Sequence, residues 1–283
     1  MNEEIYRYRL LKEGSPRPLF RRMMPPPDLA PHIVSIVTYE EDGTPLILSG
    51  EFAPLVVPFI ISFGEPFEIG LGRPPRAGET FSSFTSGLFP GFVLINSTGR
   101  SKCIQVDFTP TGARRFLGFP MSEITGVLVE FCDLGDPQLQ ALRRRLADIT
   151  DWEHRIALLL SFIRMRLAAG SGVTPQIEAA WQSIARKAGA IRIGRLADQL
   201  GWSRKHLVSR FREEIGLPPK TVARMMRFNR AMSMAGNPSS WADIALVCGY
   251  ADQAHLIREF VEFAGRSPTE WQRTLTGNIP SRS

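Results

Sequence analysis

The chain has 283 residues, room for about two domains at ~100–200 residues each. Its 43% hydrophobic content fits an ordinary core, no apolar run approaches the ~20 residues of a bilayer span, residues 1–9 lack a signal-peptide core, and Cys103, Cys132 and Cys248 form no CxxC pair. A membrane protein, a disulfide framework and a zinc site are thereby disfavoured, and a cytoplasmic location is expected. The net charge of +6 is uneven: residues 174–283 hold 16 Lys+Arg against 9 Asp+Glu, while the first 173 hold 18 against 19. That asymmetry indicates either a polyanionic partner for the C-terminal segment or a solvated basic face.

Residues 1 to about 135 are dense in proline and glycine, with β-rich runs at 33–39, 46–48, 55–63, 67–71, 92–95 and 103–108. Short strands between turn signals predict a β-sandwich or barrel. Residues 111–117 have helical spacing. A barrel interior lined by Phe59, Ile61, Phe63, Phe67, Phe92 and Phe108 would hold a small apolar or aromatic effector; the alternative is plain core packing. Arg114 and Arg115 either meet an acidic ligand or are surface charges.

From 137 to 169 the period changes. Leu139, Leu142, Leu146 and Ile149, then Ile156, Leu159, Leu160, Ile163 and Leu167, recur every three or four residues. Asp151 is an N-cap candidate for the second helix. These helices are packing elements or, in addition, the seam of a homodimer. Residues 168–175 read as a linker. The expected domains are 1–170 for sensing or dimerisation, 171–175 as linker, and 176–283 as an all-helical unit. Within the last, a helix at 176–188 precedes a long connecting helix from 218 to about 235. Pro218 and Pro219 suit its start, and Gly236-Asn237-Pro238 its end.

That C-terminal unit contains a duplication. Leu196-Ala197-x-x-Leu200-Gly201-Trp202 returns as Ile244-Ala245-x-x-Cys248-Gly249-Tyr250. His206-Leu207-Val208-x-x-Phe211 returns as His255-Leu256-Ile257-x-x-Phe260, and Gly216-x-x-Pro219 as Gly265-x-x-Pro268. The repeating unit has the form of a helix-turn-helix. Ile193, Leu196, Ala197 and Leu200 make an apolar stripe, Gly201 permits the turn, Ser203 caps the next helix, and Leu207, Phe211 and Ile215 face inward. In the second unit Gly249 turns the chain, Asp252 caps, and Leu256, Phe260 and Phe263 pack inward. The second helix of such a unit enters the major groove of double-stranded DNA. Arg204, Arg212, Lys220, Arg224, Arg227, Arg230 and Arg266 are the candidates for phosphate contacts, which give affinity without sequence information.

The segment Ile244-Ala245-x-x-x-Gly249-Tyr250-x-Asp252-Gln253-x-His255-Leu256-x-Arg258-x-Phe260, with Gly265-x-Ser267-Pro268-x-Glu270-Trp271, resembles the DNA-binding domain of the AraC/XylS family of transcriptional regulators. The resemblance covers roughly 176–274. It implies two helix-turn-helix units joined by a long helix, set in successive major grooves. It also implies base reading by Lys205, Val208 and Ser209 in the first recognition helix and by Gln253, Ala254, His255 and Arg258 in the second. The family often has arginine where Ser209 stands here, and Arg210 occupies a usually apolar place, so Arg210 joins the candidates for DNA contact. In the N-terminal half, Phe108-x-Pro110-x-Gly112-x-x-x-Phe116-Leu117-Gly118 followed by Asp133-Leu134 resembles the cupin-like sensor of one branch of that family. The expected fold is therefore α+β: a cupin-like barrel with following helices, then an all-α domain with two helix-turn-helix units.

Enzymatic chemistry finds little support. The predicted barrel has one histidine, His32, and no HxH or HxxxE array, so no metal or other cofactor is expected. GxSxG and P-loop motifs are missing. Cys103 and Cys132 are either redox sensors or small core residues. The expected partners are DNA, a small-molecule effector, a second copy of the chain and, for an activator, RNA polymerase. The competing reading is a cupin-like binding protein or enzyme whose helical tail mediates protein contacts.

Overall fold

The computed structural model describes residues 19–235 and 240–275. The expected helix end at Gly236-Asn237-Pro238 lies outside them. The described strands are β1 Leu19–Met23, β2 Ile33–Glu40, β3 Ser49–Phe52, β4 Val57–Ser62, β5 Phe67–Leu71, β6 Thr80–Phe81, β7 Phe84–Ser86, β8 Phe92–Asn96, β9 Lys102–Phe108 and β10 Leu128–Glu130. They build a six-stranded sheet in the order β1-β2-β9-β4-β7-β10 and a four-stranded sheet in the order β3-β8-β5-β6, with antiparallel pairing throughout.

Strand β4 shows how the large sheet divides its faces. Side chains alternate along a strand, so Val57, Phe59 and Ile61 share one face and Pro58 and Ile60 the other. The first set is fully buried against helices. Phe59 stacks on Phe131 at 4.5 Å and meets Phe116 edge-on at 5.1 Å; Phe116 in turn stacks on Phe108 at 4.7 Å. Phe116 belongs to α1 (Pro110–Leu117), whose N-cap is Thr109, the hydroxyl accepting from the Gly112 amide at 3.0 Å. A Cβ at Gly112 would fall 2.2 Å from the His32 carbonyl, so only glycine lets α1 lie this close to β2.

Helices α2 (Pro137–Ala147) and α3 (Trp152–Ala169) close this side. Asp151 accepts from the His154 amide at 2.9 Å, in keeping with its N-cap role. Arg155 is buried; its Nε donates to the Leu146 carbonyl at 3.0 Å and its guanidinium lies 4.3 Å from the Phe63 ring.

The remaining chain is helical: α4 Pro175–Arg186, α5 Ile193–Gln199, α6 Arg204–Ile215, α7 Pro219–Met234, α8 Trp241–Val247, α9 Gln253–Ala264 and α10 Pro268–Leu275. The fold is thus α+β, antiparallel sheets followed by a helical C-terminal part. One apolar cluster runs without a break from Leu29 to Trp271 and contains both halves of the chain.

The halves touch at specific points. The Thr125 hydroxyl sits 3.0 Å from the Gly216 carbonyl at the end of α6. Asn229 Nδ2 on α7 donates to the Ala53 carbonyl at 3.2 Å. The Arg266 guanidinium lies 5.8 Å over the Phe52 ring.

Candidate nucleic-acid interface

The duplicated pattern folds into two helix-turn-helix units, α5–α6 and α8–α9, held apart by α7. Gly201 and Gly249 turn the chain at φ +68° and +76°, a region that disfavours side chains with a Cβ. Ser203 accepts from the His206 amide at 3.2 Å and Asp252 from the His255 amide at 2.6 Å, so each recognition helix starts at its predicted cap. In each unit the histidine meets the turn aromatic edge-on: His206 on Trp202 at 4.5 Å and His255 on Tyr250 at 5.3 Å. Leu207, Phe211 and Ile215 in α6, and Leu256, Phe260 and Phe263 in α9, are buried. The outward faces are fixed by what the inward faces bury.

Of the proposed base readers, Lys205, Ser209, Gln253, Ala254 and Arg258 are exposed. Val208 and His255 are half-buried, and His255 Nε2 lies 3.5 Å from Glu259. Arg204, Arg212, Lys220 and Arg230 are exposed. The other arginines of the phosphate set have protein partners. Arg210 forks to Glu213 at 2.8 Å and to buried Glu214 at 2.7 Å. Arg224 binds Glu259 at 2.7 Å and also Glu262, while Arg227 binds Glu259 at 3.1 Å. The hydrogen bonds that Arg224 donates to Glu262, aided by Glu259, raise its pKa, and burial opposes this. Arg266 is half-buried against the N-terminal half, and its burial lowers its pKa. Arg224 and Arg227 thus tie α7 to α9, Arg210 pairs within α6, and Arg266 packs on the N-terminal half.

Two cations escape the sequence reading. Arg192 and Arg195 are exposed at the start of α5, the helix that crosses the DNA backbone in a helix-turn-helix. Their signal was position: both stand at the N-terminal edge of the repeat. The second unit has Ser240 and Asp243 there, joined in a capping box that closes the start of α8.

The N-terminal half contains a cavity of about 450 Å³ between the two sheets. Of the six expected lining residues only Phe67 is on its wall. Phe59, Ile61 and Phe108 sit on the opposite face of the large sheet, in the helix-covered core. Strand period explains this, because the face is set by alternation and not by hydrophobicity: Pro58 and Ile60 face the cavity where Phe59 and Ile61 do not. Phe63 packs on Trp152, and Phe92 on Gly265. Cys103 lines the cavity and is buried; Cys132 is exposed, its thiol pKa raised by desolvation and by the Asp133 carboxylate. Among the described residues no cluster of three His, Cys, Asp or Glu could hold a metal, and no helix is long and apolar enough to cross a membrane.

Residues 196–274 match a family described as a helix-turn-helix domain, and residues 21–130 match a domain of unknown function, DUF6597. No curated protein matches the sequence. Among solved structures, the chain is similar to the C-terminal domain of AraT, a response regulator from Geobacillus stearothermophilus. Identity there is 22% and the TM-score 0.34, over 40% of this chain and 94% of that one. It is also similar to ToxT from Vibrio cholerae, at 12% identity and TM-score 0.46, over 92% of this chain and 99% of that one. ToxT bound to an unsaturated fatty acid gives 13% identity and TM-score 0.42, over 96% and 100%.

Proposed function

We propose that this chain, a DNA-binding transcription regulator with an AraC-type helix-turn-helix domain at its C-terminus, reads two successive major grooves under the control of a small molecule bound in its N-terminal half. The observation that carries the reading is the paired presentation of α6 and α9. Each begins at a side-chain cap, buries one apolar stripe, and exposes polar side chains over its first two turns.

In this reading Lys205, Val208 and Ser209 meet one groove and Gln253, Ala254, His255 and Arg258 the next. Arginine and lysine suit guanine O6 and N7, glutamine suits adenine, and Ala254 suits a thymine methyl. The phosphate contacts fall to Arg204, Arg212, Lys220 and Arg230, joined by Arg192 and Arg195. The domain boundaries stay at 1–170 and 176–283, and a homodimer through the N-terminal half and contact with RNA polymerase in an activating complex complete the proposal. A cytoplasmic location belongs to the same proposal.

Selection of random duplex DNA by the full-length protein, at near-physiological salt, tests this. The expected result is an enriched motif of two short blocks about one helical turn, ~10 bp, apart. Binding no tighter than the ~10⁻⁴–10⁻⁶ M of non-specific association, by both the full chain and residues 174–283, would overturn it.

A further inference from the structure

The two helix-turn-helix units are attached to α7 in different ways. The second is bolted to it. Arg224 and Arg227 reach Glu259, Arg224 also pairs with Glu262, and the two guanidinium groups lie over the Phe263 and Tyr250 rings at 5.1 and 5.2 Å. Gln272 of α10 adds a hydrogen bond to the Ala235 carbonyl at 3.1 Å. Among the described residues, α7 makes no side-chain hydrogen bond or ion pair to α5 or α6. The first unit meets α7 through the shared apolar core and through the loop before α5, where Gly189 lies too close to the Ala223 carbonyl for a Cβ. Apolar packing carries no direction. The covalent link from α6 to α7 is Gly216-Leu217-Pro218, with Gly216 at φ +103°. A short connection of this kind, between two packed bodies, is where a hinge falls.

The N-terminal half spans that joint. On the α6 side, the Thr125 hydroxyl stands 3.0 Å from the Gly216 carbonyl and 2.9 Å from the Met121 carbonyl. On the α7 and α9 side, Asn229 donates to the Ala53 carbonyl at 3.2 Å, and the Arg266 guanidinium lies 5.8 Å over the Phe52 ring. Gly265 abuts the Phe92 ring there; a Cβ would lie 2.5 Å from it. One stretch of backbone, residues 87–91, connects the two grips. At its start the Gly87 amide donates to the Ile124 carbonyl at 2.8 Å, next to Thr125. At its end the Gly91 carbonyl accepts from the Ala53 amide at 2.8 Å. Leu88 between them is buried in the core, and a Cβ at Gly87 would fall 2.7 Å from the Ile124 carbonyl. Both grips are at the C-terminal ends of the recognition helices, away from the ends that carry the proposed base readers.

We propose that the N-terminal half splints the joint between the two helix-turn-helix units, and so determines which separation of the two DNA blocks the protein accepts. Thr125, Asn229 and Phe92 are positioning residues: they touch no DNA and act by holding α6 and α9 in one relative placement. A splinted pair meets a correctly spaced site without ordering itself first, which favours that site over its neighbours. The consequence for DNA rests on the regulator reading above, whereas the splint itself is a property of the free protein.

Two measurements on the full-length protein test this. The first uses duplexes carrying the selected motif, with and without one base pair inserted between the blocks. The insertion moves the second block by about 3.4 Å and turns it by about 35°. The wild type is expected to lose affinity about tenfold or more on the inserted site. Thr125→Val, and on the other side Asn229→Ala, lower that discrimination about threefold or more, the scale of one net hydrogen bond. Thr125→Ser, which keeps the hydroxyl, keeps the discrimination. The second measurement needs no DNA. Spin labels at Lys205→Cys and Gln253→Cys, with the exposed Cys132 replaced by Ser, report the separation of α6 and α9 by pulsed electron paramagnetic resonance. The expected distance distribution is narrow in the wild type and broader in Thr125→Val and Asn229→Ala. Equal widths in all three proteins overturn the splint. Broadened distances with unchanged discrimination overturn its part in site choice. Tighter binding of the correctly spaced site by the variants overturns the proposal in favour of a half that obstructs DNA. Broadened distances in a protein that selects no motif would overturn the regulator reading and leave the splint standing.

Discussion

Gly265 ends the second recognition helix with its Cα against the ring of Phe92, and its repeat counterpart Gly216 ends the first against Thr125. Both glycines have positive φ, +69° and +103°. The duplicated Gly-x-x-Pro motif thus does two things. It stops each helix, and it offers a bare backbone on which the N-terminal half sits. The N-terminal ends of α6 and α9, which carry the proposed base readers, lie at the other end of each helix.

A side chain at 265 meets two penalties, the left-handed backbone and the Phe92 ring. Gly265→Ala is expected to lower stability by about 1–3 kcal/mol. Adding Phe92→Ala removes the collision and leaves the backbone share, roughly 1 kcal/mol. Urea denaturation of the four proteins in this cycle gives the coupling directly. Strictly additive costs would mean that the ring swings away without resistance.

The Arg224–Glu259 pair makes a second prediction. Glu259 is 3% exposed and is held by Arg224 and Arg227. Arg224→Ala leaves that carboxylate short of a partner and is expected to cost roughly 3 kcal/mol, toward the low end for breaking a buried pair because Arg227 remains. Arg204→Ala, on an exposed side chain, should stay within about 0.5 kcal/mol of the wild type. Comparable losses in the two variants, measured by the same denaturation, would refute the division between arginines that hold the domain and arginines left for DNA.

The helical half was legible because its logic is local. Gly201, Ser203, Gly249 and Asp252 announce their turns and caps within a few residues, and the caps form as read. The strands were legible in part. The run expected at 46–48 lies just ahead of the actual β3, and β1, β6, β7 and β10 were missed, three of them having only two or three residues. Their pairing partners lie far away in sequence, as β10 with β7. The pocket residues failed for a related reason. Hydrophobicity identifies Phe59 and Ile60 as buried alike, and only the register of β4 against β9 and β7 decides which faces a cavity. The ion pairs from α7 to α9 depend on helix packing that no spacing rule encodes.

On DNA, Arg258→Ala and Arg204→Ala should differ in kind. Arg258 is exposed within the second turn of α9, and its loss is expected to cost about 1–3 kcal/mol at particular base positions and to relax preference there. Arg204→Ala should weaken binding to every sequence and reduce the salt slope by about 1. Affinities of both variants on the selected motif and on single-base changes of it, across a salt series, decide this. A uniform loss from Arg258→Ala would assign that arginine to phosphate.

His32 gives a pH dependence whose sign follows from its surroundings. Burial lowers its pKa below the ordinary value of 6.5, and the Arg115 guanidinium adds to this, while Glu178 opposes. Below 6.5 the unfolded chain takes up a proton that the folded chain resists, so the unfolded state binds more protons and stability rises with pH. The contribution is absent above the ordinary histidine value. It grows as an increasing penalty while the pH falls from there to the depressed folded value. His32→Gln removes the titrating group, so the variant should lose less stability than the wild type between about pH 7.5 and about pH 5. Thermal or urea melts of both proteins at matched ionic strength measure the difference. Parallel curves would show that the folded imidazole accepts its proton as easily as the unfolded one.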